Sequence, residues 1–261
     1  CRMGAREAVA AIRAGRVSAR ELVDACLARA EAREGELHAW HCLSPETARA
    51  AAEAAGSGLL GGVPVGVKDI VATSDLPTAC GSPIYRGHRT PGDAACVAAL
   101  RAQGGVVLGK TATTEIAAFT PTETRNPRNP GHTPGGSSSG SAAAVADFQV
   151  PVAIGTQTAG SIIRPASFCG VVGLKPTFGT IEYAGVRSFA SSLDTLGAFA
   201  RNVGDVALFI AAMAGWPELA RIEPKPPARV RIVRGPRWEA VTPEAEAAVE
   251  RAATVLAEAG I

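Results

Sequence analysis

The sequence predicts an α/β protein built on a mixed or mostly parallel central sheet, covered by helices on both faces. Three observations carry this. Short apolar runs bounded by glycine or proline, at 64–70, 106–108, 151–154 and 171–174, read as strands. Segments with apolar residues at three- and four-residue steps alternate with them and read as helices. The chain is 261 residues long, 47% hydrophobic and 19% charged, which is enough apolar material for a sizeable core.

Taken in order, the first fifty-odd residues have a helical rhythm, with Ala8, Ile12 and Val17 followed by Leu22, Val23, Cys26, Leu27 and Ala30. Ser18 and Glu21 form an S-x-x-E capping box. The run 64–70 is a strand, 93–103 a helix and 106–108 a second strand. The stretch 120–140 holds Asn-Pro twice, Pro-Gly-Gly and a run of serines, and so reads as a long functional loop. An Ala-rich helix at 141–148, strands at 151–154 and 171–174 and a helix at 203–214 follow. A hinge at Pro224, Pro226 and Pro227, a strand at 230–233 and a helix at 243–259 complete the order. Gly260 fits a left-handed helix cap and Ile261 the first residue of another strand, so a further C-terminal part is expected. The whole is read as one domain: N-terminal helices 1–60, a core 61–215, and the start of a C-terminal portion at 216–261.

Composition excludes several classes of function. Lys and Arg number 26 against 24 Asp and Glu, and a net charge of +2 gives no electrostatic case for nucleic acid or a membrane surface. Aromatic residues, at 5%, are too few for a base-stacking platform. The six cysteines (Cys1, Cys26, Cys42, Cys80, Cys96, Cys169) show no C-x-x-C spacing, so no metal site is expected, and their scatter suits a reducing, cytoplasmic setting. No apolar run approaches the ~20 residues of a membrane span, and no signal pattern opens the chain. The partner expected is a small molecule, with a homodimer left open.

Two segments carry candidate chemistry: 135–141 (GGSSSGS) and 155–165 (GTQTAGSIIRP). Each sets serine beside glycine at a turn, where backbone N–H groups can converge on a phosphate or on the oxyanion of an acyl transfer. No G-x-x-x-x-G-K-[ST] pattern is present, which disfavours phosphate. Gly136-x-Ser138-x-Gly140 matches the G-x-S-x-G elbow, but His38, His41, His88 and His132 all precede Ser138, against the Ser-acid-His order of that motif. His132, in the loop, reads as a local hydrogen-bonder. Without histidine a serine nucleophile needs another base, and a lysine serves once burial lowers its pKa. Lys68 lies inside the apolar run VGVKDI; Lys110 and Lys175 also follow apolar runs, so position alone does not choose.

The stretch 135–177, ending FCGVVGLKPT, resembles the amidase signature family of serine amidohydrolases, and VGVKDI at 65–70 and SLDTLG at 192–197 resemble its flanking elements. The resemblance implies an amidase signature fold lacking its C-terminal part, and cleavage of small amides through an acyl-enzyme without a cofactor. Carried over by motif, it puts the nucleophile on Ser161, a bridging serine on a cis peptide bond at Ser137 and the base on Lys68. The oxyanion hole falls on Thr158, Ala159 and Gly160, and substrate contacts on Arg164 and Ser138. Many members carry Asp and Gly-Gly where this chain has Gln157 and Ala159-Gly160. Arg164 stands three residues after the nucleophile, as in the malonamidase-like branch, and its guanidinium suits either the carboxylate of a substrate amide or a nearby acid that would hold the helix start. The same resemblance admits an amidotransferase component of a multi-protein assembly, or a catalytically silent fragment.

Overall fold

In the computed structural model, which describes residues 2–221, 223 and 225–261, the first helices are α1 (Ala5–Arg13) and α2 (Ala19–Leu37). Cys1 and Pro224 of the expected hinge lie outside the described residues. The capping box at the start of α2 is made in both directions: the Glu21 N–H donates to Ser18 Oγ at 3.1 Å and the Ser18 N–H to Glu21 Oε2 at 2.8 Å. There follow β1 (Trp40–Leu43), α3 (Pro45–Glu53), β2 (Pro64–Lys68), α4 (Ala95–Ala102), β3 (Val106–Thr111), α5 (Ser139–Ala146), β4 (Val152–Gln157) and α6 (Ile163–Cys169). The strands β5 (Val172–Leu174) and β6 (Thr195–Ala200) and the helix α7 (Val203–Ala214) come next. Asn202 caps α7 by accepting the Asp205 N–H at 2.8 Å, and Gly215, at φ 68°, ends it.

The six strands form one mixed sheet in the order β1-β3-β2-β4-β6-β5. The central strand β2 runs parallel to β3 and β4, whereas β1, β6 and β5 join antiparallel. Every residue of β2, β3, β4 and β6 is buried, as strands covered on both faces must be. Helix α5 is buried along its whole length, which its small residues permit. Gly140 shows how close the approach is: a Cβ there would lie 2.1 Å from the Ala39 carbonyl oxygen and 2.4 Å from the Ala112 nitrogen. No helix among the described residues is long and apolar enough to cross a membrane.

Two expectations change, and one strand is added. Trp40–Leu43 and Thr195–Ala200 are strands, although the first lies within the helical rhythm of the N-terminal region and the second (TLGAFA) is rich in small residues. Both are placed by their partners, β3 and β4, rather than by propensity. The stretch 230–233 is no strand: Val230, Ile232 and Val233 are exposed and pair with nothing among the described residues, and apolar content without a neighbouring strand leaves a ladder unformed. The serine-bearing loops gather at the C-terminal ends of β2 and β4, in the middle of the sheet.

The chain divides into two compact units, Cys1–Arg221 and Ile222–Ile261. The second unit holds α8 (Pro243–Glu258), capped by Thr242 and without a buried residue. There Arg234 pairs with Glu250 at 2.6 Å and the Trp238 indole N–H donates to Glu246 at 3.0 Å. Gly260 has φ 82°, the left-handed conformation expected of it.

Within the first unit, Lys110 and Asp69 form a fully buried ion pair at 3.5 Å. Lys110 also donates to the Val71 carbonyl at 2.8 Å and to Thr78 Oγ1 at 2.7 Å. Burial raises the Asp69 pKa and lowers that of Lys110, and each charge opposes the shift of the other. Removing one partner strands the other, so Asp69→Ala is expected to lower unfolding stability by about 3–5 kcal/mol in urea denaturation.

Candidate active site

The parallel neighbours β2 and β4 bring their C-terminal ends side by side, and the candidate residues gather there. Lys68, the last residue of β2, is fully buried. Its Nζ lies 2.8 Å from Ser137 Oγ and 2.8 Å from Thr156 Oγ1 on β4. Burial lowers the Lys68 ammonium from its ordinary value to about 7, with the charge of Asp194 opposing part of the shift. Near neutral pH a large fraction of this side chain is therefore the free amine. The other two candidate lysines are engaged elsewhere: Lys110 with Asp69, and Lys175 with the Pro176 carbonyl at 2.8 Å.

Ser137 follows a cis peptide bond, Gly136–Ser137, and is buried. The loop that carries it is fixed on two sides. The Thr114 N–H donates to the Ser137 carbonyl at 3.2 Å, and the Gly140 N–H donates to the Ala112 carbonyl at 2.9 Å. Ser138 departs from its expected role in substrate contact. It is fully buried, its Oγ donates to the Thr156 carbonyl at 3.3 Å and accepts the Thr156 N–H at 3.4 Å, so its hydroxyl fastens the loop to β4. Gly155 makes room for this: a Cβ there would stand 3.2 Å from Ser138 Oγ and 2.4 Å from the Phe199 ring.

Beyond β4 the chain turns through Thr158, Ala159, Gly160 and Ser161 into α6. Gln157 Oε1 accepts the N–H groups of Ile162 at 2.8 Å and Ile163 at 3.0 Å, and so ties the end of the turn back to its beginning. At the other end Thr158 Oγ1 donates to Asp194 Oδ1. Ala159 does not adopt positive φ, so alanine fits where many family members carry glycine. Ser161 is half-buried, and its hydroxyl has no hydrogen-bond partner among the described residues. Its carbonyl accepts the Ser138 N–H at 3.4 Å, which sets the two serine loops together. Lys68 and Ser137 are thus joined directly, and Ser161 is linked through its backbone to Ser138, the neighbour of Ser137.

Arg164 has no carboxylate partner among the described residues. Its Nε and Nη2 donate to the Gly136 carbonyl at 3.1 and 2.6 Å, and the guanidinium lines a cavity of about 230 Å³ with Thr114, Gly136, Ser139 and Phe168. Of the histidines, His132 is exposed in a loop turn whose backbone bonds to Asn126 and Asn129. Among the described residues no group of His, Cys, Asp and Glu side chains is arranged to hold a metal ion. Thr156 and Asp194 are site residues that sequence reasoning passed over; both lie inside the quoted motifs, GTQTAGS and SLDTLG, and those motifs were the available signal.

Fold and serine-glycine loops together define an α/β protein with a buried lysine and two serine loops at the ends of its central strands. It belongs to the Amidase family, whose sequence model matches residues 21–261. It is 48% identical over 229 residues to a glutamyl-tRNA(Gln) amidotransferase subunit of Anaeromyxobacter sp. (strain K), covering 82% of this chain and 46% of that protein. Among solved structures it is similar to a chain of a vestigial protein complex that reveals the evolutionary origins of an s-triazine catabolic enzyme, with 39% identity and a TM-score of 0.77 over 81% of this chain and 50% of the other. The peptide amidase of Stenotrophomonas maltophilia is 35% identical, with a TM-score of 0.77 over 88% of this chain and 51% of the enzyme. The chain spans about half the length of the relatives it matches.

Proposed function

We propose that this chain carries the acyl-transfer site of an amidohydrolase acting on small amides, with Ser161 as nucleophile, Ser137 as bridge and Lys68 as base. The observation that supports it most is the fully buried Lys68, lowered to about 7 by desolvation and hydrogen-bonded to Ser137. As a neutral amine, Lys68 has two N–H groups and one lone pair; Thr156 accepts one N–H, and the lone pair is free to take the Ser137 proton. Ser137 in turn takes the proton of Ser161 as Ser161 Oγ bonds to the amide carbonyl carbon. The proton returns along the same path to the leaving nitrogen as the C–N bond breaks, and water then hydrolyses the ester. The N–H groups of the turn 158–161 meet the developing oxyanion. Treatment with a fluorophosphonate, followed by mass spectrometry, tests the reading: label on Ser161 supports it, and label on another serine removes the assignment.

The preference for carboxylated amides, in the manner of the malonamidase-like branch, rests on Arg164. Its bonds to the Gly136 carbonyl leave other N–H groups free for a substrate anion beside the same cavity. Arg164→Ala is expected to raise KM for a carboxylated amide roughly 10- to 100-fold more than for its neutral analogue. Equal effects on both substrates would refute the anion preference.

The relatives named as glutamyl-tRNA(Gln) amidotransferase subunits favour a second reading, in which the site releases ammonia from glutamine for a partner protein. Ammonia release from small amides without preference for glutamine separates the first reading from the second.

A further inference from the structure

We propose that Asp194 is a positioning residue for the serine site, fixing the turn 158–161 through Thr158 and setting a carboxylate there, two residues along the chain from Thr156, the partner of Lys68. This rests on the assignment of Ser161 and Lys68 made above. The sheet itself sets the placement. Strand β6 runs antiparallel to β4 with Thr195 opposite Gln157, so Asp194, one residue before β6, stands across from Thr158, one residue after β4. There Thr158 Oγ1 donates to Asp194 Oδ1 at 2.5 Å. The second carboxylate oxygen is held by three donors from one loop: Ser188 Oγ at 2.9 Å, the Phe189 N–H at 2.7 Å and the Ala190 N–H at 2.9 Å. A buried carboxylate with four donors is rigid, and it fastens the start of the turn as Gln157 fastens the end. The hydroxyl of Thr158 is therefore engaged with Asp194, and this residue offers the oxyanion only its backbone N–H.

Burial works against the Asp194 charge, but the donors Thr158, Ala190, Phe189 and Ser188 outweigh it and keep the carboxyl below its ordinary range. It is thus ionised at neutral pH. Lys68 bonds to Thr156, two residues before Thr158, so the Asp194 carboxylate stands near it and opposes part of its burial shift; Asp69, next to Lys68 in sequence, turns to Lys110. Tyr183, with its phenol raised by burial and then by Asp194, lines the same cavity of about 350 Å³ as Asp194, together with Glu182. An anion here favours the ammonium form of Lys68, so it keeps the base strong where desolvation alone would weaken it further.

Two variants separate the two parts of this role. Thr158→Val removes the link to the turn and keeps the charge. It is expected to slow fluorophosphonate labelling of Ser161 roughly 10- to 100-fold with the pH midpoint unmoved, and Thr158→Ser should restore the rate. Asp194→Asn removes the charge and keeps hydrogen-bonding atoms. It is expected to move the Lys68 titration midpoint, followed by the ¹³C shift of its Cε, to lower pH. Labelling of Thr158→Val at the unaltered rate, or an unmoved Lys68 midpoint in Asp194→Asn, would each overturn the proposal. Should the unaltered chain not label at all, the functional reading fails, and the Lys68 titration in the folded Asp194→Asn chain still decides the inference.

Discussion

Lys68→Met is expected to suppress labelling of Ser161 and at the same time raise the stability of the chain. The loss follows from removing the base: positioned proton transfer contributes typically about 10²–10⁴-fold, and the unbranched methionine fills the space without accepting a proton. The gain follows from the direction of the pKa shift. The folded-state pKa of Lys68, about 7, lies below the value of 10.5 for an exposed lysine. Between these values the unfolded chain binds the extra proton, so Lys68 makes stability rise with pH from about 7 to about 10.5. At pH 7 and below, the folded chain carries most of the penalty, and methionine relieves it by about 1–4 kcal/mol after the hydrogen bonds to Ser137 and Thr156 are lost. Urea denaturation at pH 7 and at pH 10 measures this: the variant should exceed the unaltered chain at pH 7 and lose most of that advantage at pH 10. The pH dependence of labelling in the unaltered chain gives the complementary test. The rate should rise as Lys68 loses its proton, with a half-maximum near pH 7. A rate independent of pH from 6 to 9 would remove Lys68 as the base.

Ser161→Ala carries the largest expected effect on chemistry and almost none on stability. Replacing the nucleophile of a serine hydrolase typically lowers turnover on the order of 10⁶-fold, so under the role proposed for Ser161 no covalent adduct should form. The Ser161 hydroxyl has no partner among the described residues, and its loss should change unfolding stability within about 0.5 kcal/mol. Ser138→Ala is the contrasting case. Its hydroxyl is buried against the backbone of Thr156, and deleting it leaves the loop unfastened, with a stability loss of about 1–3 kcal/mol. A Ser161→Ala chain that still forms the adduct, or one that unfolds far more readily, would refute the assigned role.

Much of the architecture was legible because it rests on local pattern. The capping box at Ser18 and Glu21, the apolar run around Lys68 and the helix ending at Gly215 are each read from neighbouring residues. β1 and β6 were not, because their strand character comes from β3 and β4, which lie far away in sequence. The apolar stretch 230–233 shows the converse: a composition fit for a strand, with no neighbour to complete it among the described residues.

Residue types at fixed spacing pointed to the family and the α/β class, both of which the comparisons and the fold bear out, and to the serine, glycine and lysine residues proposed to do chemistry. The motif resemblance singled out Lys68 among the candidate lysines, but residue types alone could not say what Lys68 bonds to, which serine hydroxyl is spent on fastening a loop, or where Asp194 stands. Those choices depend on distance and on exclusion of water, and both arise only when β2, β4 and β6 lie side by side.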